Sequence, residues 1–460
     1  MRIGFLLLVV GLLGAPPHVA WAKSREEPIS LRRGLPKADG LGRLVIVTNF
    51  ATRDARSKAV KRLAKHRDAK VIRFRDGKIE DVRKKLQREG AEFVAVAVTP
   101  ETVDVNFHYE VLELSRDLDD DPMPDFYFGY FTARNGEDLE KLIDGILRRE
   151  AEPPAEPKAV VAALTGSGAH VQPLDFLLHF GHGQAWRVDG GMTGTQVGAL
   201  DLPRAPVVIS GACFNGVLSR SYHKCAMQRI FLAPTTIDPE QLMTLNWVHA
   251  GASAYLAALE GDRGEMAMAE WEYLRQNACS LGEVMGYQYR LAFTSVYADF
   301  TKFPRYVPGH GKRMSFYDVM LRGMVSRLLL SDPSFRPLPE PMDEPAHVAT
   351  VAYDADARTV VVDVEVTRYS QGLHLNYLPQ SKRGVFDRRI YVRVPLPDDV
   401  PTKFGETRVE AKTGPELIDL TRTHVRHEVW GGQRFLNLQA EMPQKSIRGG
   451  TTVRYTLPIR

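Results

Sequence analysis

The 460-residue chain is long enough for about three domains, and 44% of its residues are hydrophobic, which suffices for sizeable buried cores. Its net charge of +4 is the small difference between 60 basic and 56 acidic residues. A balance this even argues against a dedicated nucleic-acid-binding protein, so no nucleic-acid partner is expected.

The first 22 residues have the pattern of a secretory signal peptide. Arg2 follows Met1, residues 5–13 are apolar, and Ala20-Trp21-Ala22 is a small-x-small cleavage site. The alternative is an uncleaved membrane anchor, but the apolar run is shorter than the roughly 20 residues that a span requires. We therefore expect a secreted, periplasmic or cell-surface protein without a stable membrane span. Residues 23–42 are polar with scattered Pro and Gly, which is typical of a linker or short propeptide.

From residue 43 the pattern alternates between strands and helices. Strands are predicted at 44–47, 70–74, 93–98 and 125–131, and helices at 54–65, 79–87, 107–118 and 135–149. Such alternation favours an α/β domain with a mainly parallel sheet. A Pro-rich segment at 151–158 divides an N-terminal α/β subdomain (43–155) from a second one (156–345).

Two apolar runs in the second subdomain end in turns that carry reactive side chains. The run 174–180 is followed by His182, and the run 205–210 is followed by Cys213. Both runs are typical of buried parallel strands, and chemistry gathers beyond the carboxyl ends of such strands. A thiolate is a strong nucleophile, and a nearby imidazole can take its proton. The sequence therefore predicts a Cys–His pair at one edge of the sheet.

Two strings around these residues resemble the gingipain family, within the caspase/gingipain group of cysteine peptidases: Phe180-Gly181-His182-Gly183 and Ala212-Cys213-Phe214-Asn215-Gly216. The likeness spans about residues 42–339. It implies two caspase-like α/β subdomains in which Cys213 is the nucleophile and His182 is the general base. It also implies that the backbone N–H groups of Gly183 and Cys213 stabilise the oxyanion, and that no cofactor is required.

The acidic segment before the fourth predicted strand has two interpretations. Asp119, Asp120 and Asp121 are typical of a solvated turn, which we favour, or of a structural calcium site. The resemblance implies in addition that a carboxylate near here orients the catalytic histidine, with Asp125 as the first candidate and Asp120 as the second. Tyr130 stands where gingipain relatives commonly carry Arg, so this edge of the site is expected to differ.

The substrate pocket is less clearly marked. Trp186, Glu260 and Asp262 are the candidates for contacting the substrate. Gingipain relatives cleave after Arg or Lys by means of an acidic group in the first pocket, and Glu137 and Asp138 are alternatives to Glu260 and Asp262 for that group. The sequence does not decide among the four.

The three cysteines leave two arrangements open. Disulfides use cysteines in pairs, so one thiol is left over. Either Cys225 and Cys279 form a bridge and Cys213 is a thiol, or all three are thiols.

Residues 346–460 change in character. Short alternating runs rich in Val, Thr and Tyr, separated by turn residues, predict a β-sandwich. The resemblance implies an immunoglobulin-like domain at this place. Packing support, anchoring to a surface and binding of a partner all stay open as its role.

The sequence thus predicts a secreted cysteine endopeptidase that hydrolyses protein or peptide substrates through a thioester. The sequence leaves two other functional classes open. One is an exported non-catalytic binding or surface protein with a peptidase fold. The other is a metal-dependent hydrolase using His179 and His182, which strand alternation disfavours because the two side chains point to opposite faces. His179 is expected to be a buried core residue.

Overall fold

The computed structural model describes residues 43–75, 77–162, 174–222, 235–261, 264–295, 322–354, 356–374, 388–396, 400–401, 403–443 and 447–460. The predicted signal peptide and linker, Cys225 and Asp262 lie outside the described residues. No helix among the described residues is long and apolar enough to cross a membrane.

The first part of the chain alternates strands with helices, as predicted. Its elements are β1 (Leu44–Thr48), α1 (Arg56–Arg67), β2 (Lys70–Arg73), α2 (Arg83–Glu89), β3 (Phe93–Ala97), α3 (Val105–Leu114), β4 (Tyr127–Tyr130) and α4 (Gly136–Ala151). The strands β1, β3 and β4 are buried at every position, which explains their near-continuous apolar sequences.

The second part adds five strands to the same sheet. They are β5 (Ala159–Ala162), β6 (Phe176–Gly181), β9 (Val207–Ala212), β12 (Ala254–Ala258) and β13 (Arg327–Leu330). Helices α5 (Gly194–Gly198), α6 (Met243–His249), α7 (Gly264–Asn277) and α8 (Leu281–Ser295) connect them or cover the sheet. Two short hairpins complete this part: β7 (Gly183–Gln184) with β8 (Arg187–Val188), and β10 (Ser221–Tyr222) with β11 (Thr235–Thr236). A capping box opens α8, because the N–H of Ser280 donates to the Glu283 carboxylate and the N–H of Glu283 donates to the Ser280 hydroxyl.

One nine-stranded sheet results, in the order β2-β1-β3-β4-β13-β12-β9-β6-β5. All neighbouring pairs are parallel except β12–β13, which is antiparallel. The two groups of strands therefore run in opposite directions. The carboxyl ends of β6, β9 and β12 lie at the same edge as the amino ends of β4 and β13. The mainly parallel α/β architecture is thus confirmed, with both predicted subdomains sharing one sheet.

The last part forms two antiparallel sheets. One contains β14 (His347–Asp354), β15 (Thr359–Val366), β17 (Arg408–Thr413), β18 (Glu416–Ile418) and β21 (Thr451–Pro458). The other contains β16 (Arg388–Leu396), β19 (Arg422–Trp430) and β20 (Gln433–Met442). Side chains of both sheets share one apolar core, to which Val362, Val392 and Leu438 contribute. A short helix, α9 (Gln371–His374), lies between β15 and β16 in the chain and packs against α7.

Candidate functional site

The strand register places His182 and Cys213 side by side. β6 and β9 pair in parallel from Phe176 opposite Val207 to Gly181 opposite Ala212. His182 and Cys213 directly follow these last paired residues, and neighbouring strands lie about 4.8 Å apart. His182 is exposed and Cys213 is half-buried. The imidazole and the thiol therefore start from adjacent positions at one edge of the sheet, within reach of solvent.

The chain turns sharply immediately after Cys213. Phe214 has a left-handed φ of +60°, an uncommon conformation for a residue with a side chain. Its N–H group donates to the carbonyl oxygen of Glu260 at 3.0 Å, and the N–H of Gly216 donates to the carbonyl oxygen of Ala258 at 2.8 Å. The turn that carries Cys213 is thus fixed to the carboxyl end of β12.

The residue after His182 begins the β7–β8 hairpin. The N–H of Asp189 donates to the carbonyl oxygen of His182 at 2.7 Å, which makes these two a hydrogen-bonded pair. The next pair, Gly183 with Val188, is consequently a non-hydrogen-bonded one, so the N–H of Gly183 points away from β8. A Cβ atom at Gly183 would lie 2.6 Å from the carbonyl oxygen of Cys213, and only glycine allows this approach. The backbone of Gly183 therefore lies against that of Cys213.

Asp125 lies away from this pair. It precedes β4, which is separated from β6 by β13, β12 and β9. Four strand spacings of about 4.8 Å correspond to roughly 19 Å across the sheet. One carboxylate oxygen of Asp125 instead accepts the N–H of Leu118 at 2.7 Å. The structure therefore corrects the expectation that Asp125 orients His182, because the strand order keeps the two apart.

The acidic turn is held together by its own backbone. Asp119 accepts the N–H of Asp121 at 2.8 Å, and Asp121 accepts the N–H groups of Met123 and Val429, both at 2.7 Å. Burial raises the pKa of Asp121 to about 7, and burial together with the nearby Asp119 raises the pKa of Asp125 to about 8. Among the described residues, no group of three or more His, Cys, Asp or Glu side chains is arranged to hold a metal ion. The carboxylates form a hydrogen-bonded turn in which Asp119 is exposed and Asp121 is partly buried, whereas the sequence favours a solvated turn. The structural calcium site stays a prediction.

Glu260 lies close to the Cys213 turn, but its charge is already paired. Arg322 approaches both carboxylate oxygens at 3.0–3.3 Å, and the hydroxyl of Tyr109 donates to one of them at 2.7 Å. The side chains of Glu260 and Arg322 are 5% and 4% exposed. Glu260 also lines a cavity of about 300 Å³ together with Val217, which follows the Cys213 turn. Glu260 thus lines the cavity with a carboxylate whose negative charge is compensated by Arg322.

The other pocket candidates are spread over the molecule. Trp186 is half-buried at the tip of the β7–β8 hairpin, close to His182 in the fold. Asp138 is buried and bound to His249 at 2.7 Å, and Glu137 is 81% exposed beside Lys141 at the start of α4. Of these, Trp186 is the one that the hairpin brings to the site.

His179 does not contribute to the site. It is fully buried on β6 and packs beside both Trp247 and Tyr255, with ring centroids 6.1 and 6.5 Å away. Burial lowers the pKa of His179 to about 3, so the ring is neutral. Tyr130 is also remote, since it lies at the carboxyl end of β4, at the opposite edge, with its hydroxyl bound to His108 at 3.1 Å. Cys279 is a thiol that is 1% exposed, and burial raises its pKa well above the ordinary range.

Comparisons with known proteins give two matches. No protein-family model matches the chain, and no curated protein matches it. Two solved structures are similar: a protease (11% identity, 91% of this chain and 97% of the other covered) and a complex of the pro- and mature domains of Porphyromonas gingivalis RgpB (13% identity, 88% and 94% covered). The TM-score is 0.42 for both. Both similarities are distant.

Sequence reasoning missed one group in this region. Asn215 belongs to the string that follows Cys213, and the sequence pattern alone assigns it no role. In the structure its side chain is fully buried between the two turns. Its place two residues after Cys213 is the signal that could have identified it, because a polar side chain that is buried there must find its hydrogen-bond partners within the protein.

Proposed function

We propose that the protein is a cysteine endopeptidase whose nucleophile is Cys213 and whose general base is His182. The observation that supports this most strongly is the parallel register that ends with Gly181 opposite Ala212. It brings a half-buried thiol and an exposed imidazole to adjacent strand ends. A thiol and a base within reach of each other are what nucleophilic catalysis requires.

The proposed reaction proceeds in two stages. His182 takes the proton of the Cys213 thiol, and the sulfur attacks the carbonyl carbon of the scissile peptide bond. The resulting oxyanion accepts hydrogen bonds from the N–H groups of Gly183 and Cys213, and removing one such donor typically costs about 3 kcal/mol of transition-state stabilisation. His182 then protonates the leaving amine, and a thioester remains on Cys213.

In the second stage His182 removes a proton from water, and the hydroxide attacks the thioester. The acid product leaves and the thiol of Cys213 is restored. The outward N–H of Gly183 and its packing against Cys213 support this assignment of the oxyanion donors. Asp125 has no part in the proposed mechanism.

Substrate contacts are proposed for the cavity next to the Cys213 turn and for the hairpin tip. Glu260 lines the cavity, and Trp186 lies at the tip. Because Arg322 neutralises Glu260, we expect Glu260 to shape the pocket rather than to attract a cationic side chain. Asp262 remains a candidate from the sequence for the loop beyond β12.

The N-terminal sequence supports export of the protein, and we propose that it acts outside the cytoplasm. For the last part of the chain we propose an immunoglobulin-like sandwich, since its two antiparallel sheets share one core. No cofactor is needed by the proposed chemistry.

Replacement of Cys213 tests the proposal. We expect Cys213→Ala to abolish cleavage of a peptide library while its unfolding transition stays close to that of the wild type. Cys279→Ala is the matched control, because it removes the buried thiol and should leave cleavage intact. Cleavage that survives in Cys213→Ala, or that is lost on addition of a chelator, would refute the cysteine mechanism. A wild-type protein without any cleavage would favour an exported binding protein.

A further inference from the structure

The side chain of Asn215 joins the turn that carries Cys213 to the hairpin that follows His182. Asn215 is fully buried. Its amide nitrogen donates to the carbonyl oxygens of Gln184 at 2.6 Å and of Arg187 at 3.3 Å. Its amide oxygen accepts the hydroxyl of Ser210 at 3.1 Å. Both N–H donors and the acceptor of one amide are therefore used at the same time.

The two carbonyl groups that Asn215 binds lie at the base of the hairpin turn. Gln184 and Arg187 are the paired residues that flank this two-residue turn. The hairpin starts at Gly183, directly after His182, and its strands contain two residues each. Hairpins this short have little stability of their own, so their position depends on outside contacts. Asn215 supplies such contacts from the Cys213 turn itself.

The orientation of the amide is set by its surroundings. Two carbonyl oxygens can accept only from the NH₂ end, and the Ser210 hydroxyl donates to the oxygen end. Ser210 lies on β9, three residues before Cys213, and its hydroxyl also accepts the N–H of Ala212 at 3.3 Å. The end of β9, the Cys213 turn and the hairpin are thereby held in one hydrogen-bonded unit.

We propose that Asn215 is a positioning residue that fixes the distance and angle between the Cys213 thiol and the His182 imidazole. This rests on the proposed function. The residue does not touch the substrate or the reacting atoms. It acts by locking the two segments that carry them, and a displacement of about 1 Å in such a pair lowers the rate of reaction strongly.

The chain offers a matched control in Thr244. Its hydroxyl lies 2.6 Å from the carbonyl oxygen of Asn215 and 2.9 Å from that of Val217, and it shares its one proton between them. It therefore stabilises the same turn without reaching the hairpin. Thr244→Val removes these hydrogen bonds but leaves the link between the two segments in place, so it separates a loss of stability from a loss of positioning.

The experiment measures the alkylation rate of Cys213 by iodoacetamide against pH, together with kcat and KM on a fluorogenic peptide. For Asn215→Ser we expect kcat to fall at least about ten-fold with KM within about three-fold, since one buried hydrogen-bonding site is lost. The pH at which the alkylation rate of Cys213 reaches half its maximum should rise toward the value of an ordinary thiol. For Thr244→Val we expect a lower unfolding midpoint with an unchanged profile. Ser210→Ala, which frees the amide oxygen, is a milder second variant that should shift the profile in the same direction.

The outcomes separate this inference from the proposed function. If the alkylation profile of His182→Ala is the same as that of the wild type, the Cys–His pair and the role of Asn215 are both overturned. A wild-type profile that depends on His182 but is unchanged in both Asn215→Ser and Ser210→Ala overturns the role of Asn215 alone. Equal effects of Thr244→Val and Asn215→Ser on the profile also overturn it, because a general loosening of the turn would then explain both.

Discussion

Single residues near the site differ in how strongly their environment changes their chemistry. His179 lies on β6 and His182 directly follows its end, three positions later, yet the first is fully buried and the second is exposed. Among the residues that the structure describes, neither ring nitrogen of His179 has a hydrogen-bond partner. A buried and unpartnered imidazole stays neutral because protonation would place an uncompensated charge in the core.

This burial predicts acid sensitivity. The pKa of His179 is lowered to about 3, whereas an unfolded histidine titrates near 6.5. Between these values the unfolded state binds more protons, so stability falls as pH falls below 6.5. His179→Phe keeps an aromatic ring beside Trp247 and Tyr255, and should remove about 2 kcal/mol of the stability loss between pH 7.5 and pH 5. Urea unfolding of both proteins at the two pH values measures this. An equal loss in the variant would show that His179 is protonated in the folded protein.

The positions of the two proposed catalytic residues could be predicted from the sequence. Cys213 and His182 could be placed because each follows a buried strand, and strand ends can be identified from local patterns. Asp125 and Glu260 could not be placed. The position of Asp125 depends on the strand order, and the charge of Glu260 depends on Arg322, 62 residues later in the chain. Both are non-local properties.

At the scale of the elements, the β7–β8 hairpin and the end of β9 form one packed unit. Gly183 approaches Cys213 so closely that a methyl group does not fit. A Cβ would lie 2.6 Å from the Cys213 carbonyl oxygen and 2.8 Å from the Cβ of Ala212. The hairpin therefore cannot keep its position if a larger residue stands at 183.

Gly183→Ala should consequently lower kcat at least about 100-fold, the loss expected when one oxyanion donor is displaced. Gly190→Ala is the control. Gly190 follows β8 and has a φ of +73°, but a Cβ there would meet nothing within 4 Å. It should cost about 1 kcal/mol of stability from backbone strain and leave kcat within about two-fold. Steady-state kinetics and urea unfolding of both variants check this, and equal kcat values would argue against the oxyanion role of Gly183.

Most boundaries of the first eight elements could be predicted within about two residues, although α2 begins and α3 ends four residues from its predicted boundary. In the last part of the chain, β20 is hard to identify from the sequence. Its sequence alternates apolar and polar residues, and Asn437, Gln439 and Glu441 are nevertheless buried to 1% exposure or less. β20 is the central strand of its sheet, between β16 and β19. These side chains are bound within the sheet, since the amide nitrogens of Asn437 and Gln439 donate to Glu428 and Glu441, both at 2.8 Å. Local patterning cannot reveal such burial.

At the scale of the whole molecule, the C-terminal sheets and the α/β part share a core. Trp430 of β19 stacks on Tyr127 with ring centroids 5.0 Å apart and packs edge-on against Phe93 at 6.0 Å. Arg290 of α8, 1% exposed, donates to the hydroxyl of Tyr127 beneath this contact. The amino end of β4 is thus held by the last part of the chain, so the two parts are expected to unfold together.

Trp430→Ala should destabilise the protein by about 3 kcal/mol, because it empties a packed aromatic site. The loss should appear as a shift of one cooperative transition. Leu417→Ala on β18 is the control, since Leu417 is 76% exposed and its truncation should change stability by less than about 0.5 kcal/mol. Denaturant unfolding followed by fluorescence and by circular dichroism tests this. Two separate transitions, with only the later part of the chain affected, would contradict a shared core.

The central claim is that Cys213 and His182 act as a pair at the ends of β6 and β9. Its most direct test is the mass-spectrometric rate of covalent modification by a peptidyl acyloxymethyl ketone, in the wild type and in His182→Ala. The account predicts one adduct per molecule, mapped to Cys213 and not to Cys279, that forms at least about 100-fold more slowly without His182. An adduct on another residue, or equal rates in the two proteins, would contradict it.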